Sequence, residues 1–306
     1  VADVYIGTSG WAYKHWRERF YPAGLRQRDE LRYLAEQFNS VELNGSFYSL
    51  QRPSSYQQWR AQTPPGFVFA IKGSRFITHN KKLGNVDAAL ANFFASGVLA
   101  LEEKLGPIVW QLPERMRFDA ERVDRFFSLL PRDTDAAAAL AAQHDTRVDG
   151  RSWMTTEATR PIRHALEPRS VDFVTPECID LLRRHGVALV VADSGTWPLF
   201  EEVTADFLYL RLHGSPHTYA SQYSSAALDR WADRIQRWKR GGEPVDARRV
   251  TELSLPSRRA RDVYVYFDND GQAHAPQDAR RLMKRLAPSL PPEVPGGEEG
   301  RGGVGV

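Results

Sequence analysis

Short runs rich in β-branched and aromatic residues alternate along the chain with longer stretches whose apolar positions recur at helical spacing. The short runs predict strands over residues 4–9, 40–47, 67–72, 107–111, 163–167, 188–193, 207–213 and 262–268. The longer ones predict helices over 29–38, 54–61, 86–101, 120–130, 175–185, 226–240 and 276–286. One connection, 194–206, contains proline and carries no helical pattern. Strands that alternate with helices form βα units and a parallel sheet. Eight such strands within residues 1–287 predict a single domain of α/β class, a TIM-like (β/α)8 barrel. A doubly wound open sheet is the alternative, but no GxGxxG follows the first strand.

Two stretches exceed what barrel loops need. Residues 132–161 carry an Ala-rich segment, predicted as an extra helix plus a surface excursion before the fifth strand. Residues 241–261 are polar, basic and proline-interrupted, and read as an exposed loop. Residues 288–306, rich in Pro and Gly, are predicted to be a disordered extension outside the fold.

Composition then narrows the class. With 42% apolar and 26% charged residues in 306, the chain is globular rather than disordered or fibrous. No apolar run approaches the length of a membrane span, and residues 1–10 lack the basic and apolar regions of a secretory signal. A lone cysteine, Cys178, sits in a predicted helix, fits a reducing cytoplasm, and reads as core rather than nucleophile. The formal charge is +3, and the extension holds one Arg and three Glu, so the rest of the chain carries +5. That suits an anionic small ligand. It supports nucleic acid only weakly, because the Arg248-Arg249 and Arg258-Arg259-Ala260-Arg261 clusters have no interleaved aromatics.

In a barrel of this kind the C-terminal ends of the strands and the following loops build the site. The strand ends here are polar almost without exception. The second strand offers Glu42, Asn44 and Ser46 on one face, and the third ends in Lys72, with His79 following. Gln111 ends the fourth strand, Glu167 and Arg169 the fifth, and Asp193 the sixth. The seventh carries Arg211 and His213 on one face, with Tyr219 and Tyr223 beyond it. Asp268 and Asn269 end the eighth, and His274 opens the next helix. Each alone has a structural reading as a cap, a turn residue or an ion pair. Desolvating so many charges together is costly, and such sets concentrate where a ligand is handled.

At these residues the sequence resembles a large bacterial family, domain of unknown function 72, also called YecE-like. The matching pieces are Tyr5-Ile6-Gly7-Thr8-Ser9-Gly10-Trp11, Val41-Glu42-Leu43-Asn44 with Phe47-Tyr48, and Phe69-Ala70-Ile71-Lys72. They continue with Gln111-Leu112-Pro113, Leu208-Tyr209-Leu210-Arg211-Leu212-His213-Gly214, and Val263-Tyr264-Val265-Tyr266-Phe267. The resemblance implies a TIM-barrel fold and carries no established reaction. After the fifth strand the family tends to show Glu-x-Arg-His. Here Glu167 and Arg169 match, but Ser170 stands at the His position, and Asp172 replaces a later Ser.

Three functional readings follow. In the first, an enzyme binds an anionic small molecule, phosphorylated or sugar-like. Lys72, Arg169 and Arg211 hold the anion, Glu42 or Glu167 is the general base, and His213 the partner acid. Asn44, Gln111, Asp193, Tyr219, Tyr223, Asp268, Asn269 and His274 complete its binding surface, and the loops around His213-Gly214-Ser215 and 268–271 stand where barrels commonly bind phosphate. In the second, a metal-dependent hydrolase or isomerase uses Glu42, Glu167, Asp193, His213 and Asp268 as hard ligands for Mg2+ or Mn2+, with a nuclease as its most specific form. In the third, a non-catalytic barrel stacks a ligand on Trp11, Tyr48, Trp110, Tyr219, Tyr223 and Phe267.

Overall fold

The computed structural model describes residues 2–214, 217–252 and 259–287. The expected extension at 288–306, together with Ser215 and Arg258, lies outside the described residues. Eight parallel strands, β1 (Val4–Thr8), β2 (Ser40–Leu43), β3 (Val68–Lys72), β4 (Leu105–Gln111), β5 (His164–Glu167), β6 (Ala188–Ser194), β7 (Phe207–Gly214) and β8 (Asp262–Phe267), form one sheet in the order β1-β8-β7-β6-β5-β4-β3-β2. This is the TIM-like barrel expected from the alternating pattern, with helices around it.

Closure between β1 and β2 depends on side chains as much as on backbone. The Asn39 amide imitates a peptide unit: its Oδ1 accepts from the Ile6 N–H at 2.8 Å, and its Nδ2 donates to the Val4 carbonyl at 2.9 Å. Above it, the Gly10 N–H donates to the Glu42 carbonyl at 2.8 Å, and Ser9 and Glu42 form a parallel bridge. Between these points Gly7 faces Ser40 so closely that a Cβ would lie 1.9 Å from the Ser40 carbonyl oxygen. A residue with a side chain cannot stand there without opening the seam.

Alternation along the strands sorts residues into two cores. Outward positions pack beneath the helices. Inward positions, among them Ala70, Val109, Ala165, Val190, Tyr209 and Tyr266, fill the barrel interior. At the lower end Arg163 on the approach to β5 is tied to Asp262 at 2.6 Å. The outer helices have local reasons to begin and end where they do. Pro176–His185 is capped by the Thr175 side chain, which accepts from the Cys178 N–H, and it stops at Gly186 with φ +60°. Cys178 is buried on that helix, and burial pushes its thiol up to about 12, as expected of a core cysteine.

Several expectations need correction. The second strand ends at Leu43, not at residue 47, and Gly45–Tyr48 is a single helical turn. Ser46 therefore leaves the Glu42 face, and its hydroxyl donates to the Lys72 carbonyl at 2.6 Å. The helix expected over 86–101 is two pieces, Asp87–Ala95 and a 3-10 stretch Val98–Lys104. Gly97 breaks it at φ +117°, where a Cβ would meet Pro53 Cα at 2.5 Å. The loop expected to be exposed over 241–261 is partly tied down, because Glu202, buried, accepts from the Val250 N–H at 2.7 Å and Glu201 from the Arg248 N–H at 3.0 Å. Arg261 in that basic cluster is buried and donates to the Gly242 carbonyl. The 132–161 excursion contains the Ala-rich helix Thr134–Ala141 and is closed at its base by an antiparallel bridge between Asp133 and Pro161.

Candidate functional site

The inward positions that continue above the apolar interior are Ser9, Glu42, Lys72, Gln111, Glu167, Arg211, His213 and Asp268. Their parity follows from the interior residues two places earlier: Ala70 below Lys72, Val109 below Gln111, Ala165 below Glu167, Tyr209 below Arg211 and Tyr266 below Asp268. A polar layer thus lies on the apolar one at the C-terminal mouth.

Arg211, fully buried, is its hub. Nε donates to Glu42 Oε2 at 3.0 Å, and Nη1 donates to Glu167 Oε2 at 2.7 Å. Nη2 is shared among Glu42 Oε1 at 2.8 Å, Asp268 Oδ2 at 2.9 Å and Ser9 Oγ at 3.0 Å. Glu42 also accepts from the Ser9 hydroxyl at 2.5 Å and the Tyr209 hydroxyl at 2.6 Å. Ser9 in turn accepts from the Asn44 amide at 3.0 Å. Both Glu42 oxygens are saturated and both are fully buried, so Glu42 is a structural counter-charge to Arg211.

Glu167 is held on its other oxygen by Arg169 Nε at 2.9 Å. Burial pushes this carboxyl up, but Arg211 and then Arg169 outweigh it and hold it well below the usual carboxylate range. Asp268 follows the same logic: burial raises it, while Arg211 and then His213 bring it down to about 2. The Arg169 guanidinium lies flat over Trp197, 3.5 Å from the ring centroid, and donates through Nη2 to the Tyr219 hydroxyl at 3.3 Å.

His213 differs from its neighbours. It is fully buried, yet neither ring nitrogen makes a hydrogen bond of acceptable geometry among the described residues. Nδ1 stands 3.0 Å from Asp268 Oδ2, poorly aligned, and Nε2 stands 3.6 Å from Glu167 Oε1. Trp197 and Tyr219 close over the ring edge-on, at centroid distances of 4.9 and 5.5 Å. Tyr219 reaches that position with φ +67°, and its N–H donates to the His213 carbonyl.

Lys72 is the second exception. It is 8% exposed, its Nζ lies 4.3 Å over the Phe47 ring, and it makes no hydrogen bond or ion pair among the described residues. Burial, and after it the Arg211 charge, lower its amine to about 8.

Of the sequence-predicted residues, Glu42, Glu167, Arg169, Arg211, His213, Tyr219 and Asp268 are thus brought into one network, with Asn44 attached through Ser9. Lys72 and Gln111 face the same mouth, and Gln111 pairs in register with Glu167. Four others lie elsewhere. Asp193 falls on the outward parity of β6 and accepts from the Trp231 indole at 3.1 Å. Tyr223 accepts from the Gly214 N–H at 3.1 Å and is buried. Asn269 donates to Asp278 and to the Ser221 carbonyl, both at 2.9 Å. The His274 Nδ1 is spent on the Ala220 carbonyl at 3.0 Å. Ser170 caps a short turn by accepting from the Asp172 N–H. Ser9, Tyr209 and Trp197 were not singled out from sequence. For Tyr209 the signal was present, since it precedes Arg211 by two positions on the same strand face.

The five residues considered as hard metal ligands do not converge. Asp193 points away, and the Arg211 guanidinium fills the centre of the three carboxylates, where a cation would sit. Among the described residues the acidic group tight enough to share an ion is Glu102, Glu103 and Glu157, and Arg60 already bridges Glu102 and Glu103 at 2.5 and 2.8 Å. Of the aromatics considered for stacking, Trp110, Tyr223 and Phe267 are buried in the core, which removes them from that role. Trp11 and Tyr48 instead line a cavity of about 340 Å3 beside the mouth, with Tyr13, Asn44, Gln51 and Trp59. Asn44 Oδ1 is buried and has no donor among the described residues.

No helix of the described residues is long and apolar enough to cross a membrane. The family model described as "Protein of unknown function DUF72" matches residues 5–298. The UPF0759 protein YecE of Escherichia coli (strain K12) is 30% identical over 110 residues, 36% of this chain and 38% of that protein's length. The UPF0759 protein YunF of Bacillus subtilis (strain 168) is 30% identical over 79 residues, 26% of this chain and 27% of that protein. These alignments therefore span well under half the length of the curated relatives. A solved DUF72 family protein from Thermotoga maritima superposes with a TM-score of 0.69 at 24% identity, covering 93% of this chain and 99% of that one. Another from Enterococcus faecalis gives 0.65 at 14% identity, covering 94% and 97%.

Proposed function

The chain belongs to the family described as protein of unknown function DUF72, and from the geometry of its barrel mouth we propose that it is an enzyme performing acid–base chemistry on a small anionic, sugar-like molecule. The observation that carries this reading is His213. A fully buried imidazole whose nitrogens stand near Asp268 and Glu167 but make no well-aligned hydrogen bond among the described residues costs stability, and such groups are retained where a ligand completes their hydrogen bonding. Its position, with Nε2 3.6 Å from Glu167 and Nδ1 3.0 Å from Asp268, suits a role in proton transfer to and from substrate.

The roles differ from a simple assignment by residue type. Glu42 saturates Arg211 and is a positioning residue, which leaves His213 and Glu167 as the proton-handling pair. All three carboxylates pair with Arg211, and Glu167 also pairs with Arg169. With Arg211 enclosed, Arg169 is the guanidinium left to meet an anionic group. Arg169 is held in place by Trp197 and Glu167, and its Nη1 makes no hydrogen bond among the described residues, so it is organised in advance for an anion. The aromatic cavity at Trp11 and Tyr48, lined also by Tyr13, Asn44 and Gln51, suits the ring and hydroxyls of the same ligand.

The test is a binding screen of the purified protein against inorganic phosphate, sugar phosphates, neutral sugars and nucleotides, with and without Mg2+ or Mn2+. The reading requires saturable stabilisation by an anionic small molecule, lost in Arg169→Met and in His213→Gln while both variants stay folded. Stabilisation that survives in both variants, or that appears only with a divalent metal, overturns it.

A further inference from the structure

Lys72 is the charged group in the mouth that the internal network leaves out. Three carboxylates lie in the same layer, and each is drawn onto Arg211, whose guanidinium takes Glu42, Glu167 and Asp268 at 2.7–2.9 Å. None comes within ion-pair distance of the Lys72 amine, which rests on the Phe47 ring instead. Its backbone carbonyl is pinned by the Ser46 hydroxyl at 2.6 Å, which fixes the end of β3 from which the side chain enters the mouth. An ordinary structural lysine in this fold looks different. Lys104, also buried, donates to the Arg60 and Thr63 carbonyls at 2.7 and 2.6 Å and to the Thr63 hydroxyl at 3.0 Å. A buried amine without counter-ion or acceptor, beside a guanidinium, is the arrangement that makes lysine a nucleophile.

We infer that Lys72 captures the carbonyl carbon of a small aldehyde or ketone in the barrel mouth as a Schiff base. This deepens the acid–base reading above and rests on it for the proton transfers. The Nζ lone pair forms the C–N bond while the carbonyl π pair moves to oxygen, which takes a proton. The nitrogen then loses a proton, the hydroxyl takes up another and leaves as water, the nitrogen lone pair closes the C=N bond, and the iminium nitrogen releases its remaining proton to give the imine. Amine and carbonyl compound go in, and imine and water come out, with no oxidant or reductant. His213, in the same polar layer, is the group to which the acid–base reading assigns these protons. The charges that face Lys72 are Arg211, Glu42, Asp268, Glu167 and, from the turn after β3, His79. With the amine lowered to about 8, its neutral fraction at pH 7 is roughly 300 times that of a lysine at 10.5.

The experiment is a competition among the protein's own lysines. Full-length protein is treated at pH 7 with limiting glycolaldehyde and cyanoborohydride, and each lysine's alkylation rate is read by peptide mass mapping. Lys14, Lys81, Lys82 and Lys284 are exposed and serve as internal references. We expect Lys72 to be alkylated at least tenfold faster than any of them. A rate equal to theirs or lower overturns the inference, since a buried lysine of ordinary basicity reacts more slowly than an exposed one. Acetic anhydride, which acylates amines without forming an imine, is run in parallel on His213→Gln. Loss of the reductive alkylation alone at Lys72 supports both the capture and the proton role of His213. Retention of both reactions supports the capture and removes that role, and slow labelling of Lys72 in the wild type removes the capture while leaving the binding screen to decide the acid–base reading.

Discussion

Replacing Arg211 with Met tests how the mouth is held together. The side chain is fully buried and is the shared partner of Glu42, Glu167 and Asp268. Met fills most of the volume and supplies no charge, so three carboxylates are left in a low-dielectric layer with their main counter-ion gone. Removing one partner of a buried ion pair costs about 3–5 kcal/mol. At roughly 2–4 °C per kcal/mol the melting temperature at pH 7 should fall by about 6–20 °C. The pH dependence fixes the cause. In the wild type Glu167 and Asp268 are depressed, so the stability they contribute is present above their unfolded values near 4 and is lost as pH falls toward about 2. In Arg211→Met burial dominates and raises both carboxyls, so the penalty is largest at neutral pH and is relieved on acidification. Melting curves at pH 7, 5.5 and 4 should show the two proteins converging, and Glu42→Gln added to Arg211→Met should recover part of the loss. A fall of under about 2 °C at pH 7, or a gap that widens toward pH 4, would refute the reasoning.

Three further outcomes follow from other parts of the fold. Gly7→Ala should destabilise by about 3 kcal/mol, the upper range for overpacking, because its Cβ would lie 1.9 Å from the Ser40 oxygen; denaturant unfolding measures it, and a near-neutral result would show that the seam can open at little cost. Asn39→Ala should cost about 1–3 kcal/mol and expose the Ile6 amide, read as faster hydrogen exchange at that residue than elsewhere in β1. His164, enclosed by the Trp110 indole at 3.2 Å and the Pro131 carbonyl at 2.7 Å, is lowered by burial to about 3. The stability it contributes is therefore present above about 6.5 and lost as pH falls toward 3. His164→Gln should flatten the melting-temperature profile between those values, and an unchanged slope would count against a neutral His164.

The barrel was legible because period-two strands and longer helical runs are local patterns, and most of the mouth followed from locating strand ends. What failed failed for non-local reasons or for parity. Gly97 breaks a helix that looks continuous in sequence because Pro53, in another element, comes too close for a side chain. Strand β2 stops at Leu43 because the chain turns at Gly45, which moves Ser46 off the Glu42 face. Asp193 ends its strand as Glu167 does, but with Ala188, Val190 and Ala192 inward it must point outward, a distinction that alternation alone supplies. Trp197 comes from the connection without a helical pattern, and nothing local announces that it will lie over Arg169 and His213. The pairing of Arg211 with all three carboxylates also changed the chemistry: the residue read as an anion binder is enclosed, and the groups left over are His213, Arg169 and Lys72.

The central claim is that the groups in the mouth left without a well-aligned hydrogen bond among the described residues are kept for chemistry and at the expense of stability. The most direct measurement is the stability of Lys72→Met against wild type across pH. Lowering the amine from 10.5 to about 8 corresponds to about 3 kcal/mol lost by the wild type at pH 7, since each unit is about 1.4 kcal/mol. The wild type carries that penalty in full below 8 and sheds it as pH rises from 8 to 10.5. The account predicts that Lys72→Met is the more stable protein at pH 7, by up to about 3 kcal/mol, with the advantage shrinking above pH 8. A variant less stable than wild type at pH 7 would mean that the Lys72 amine supports the fold, and would contradict the claim.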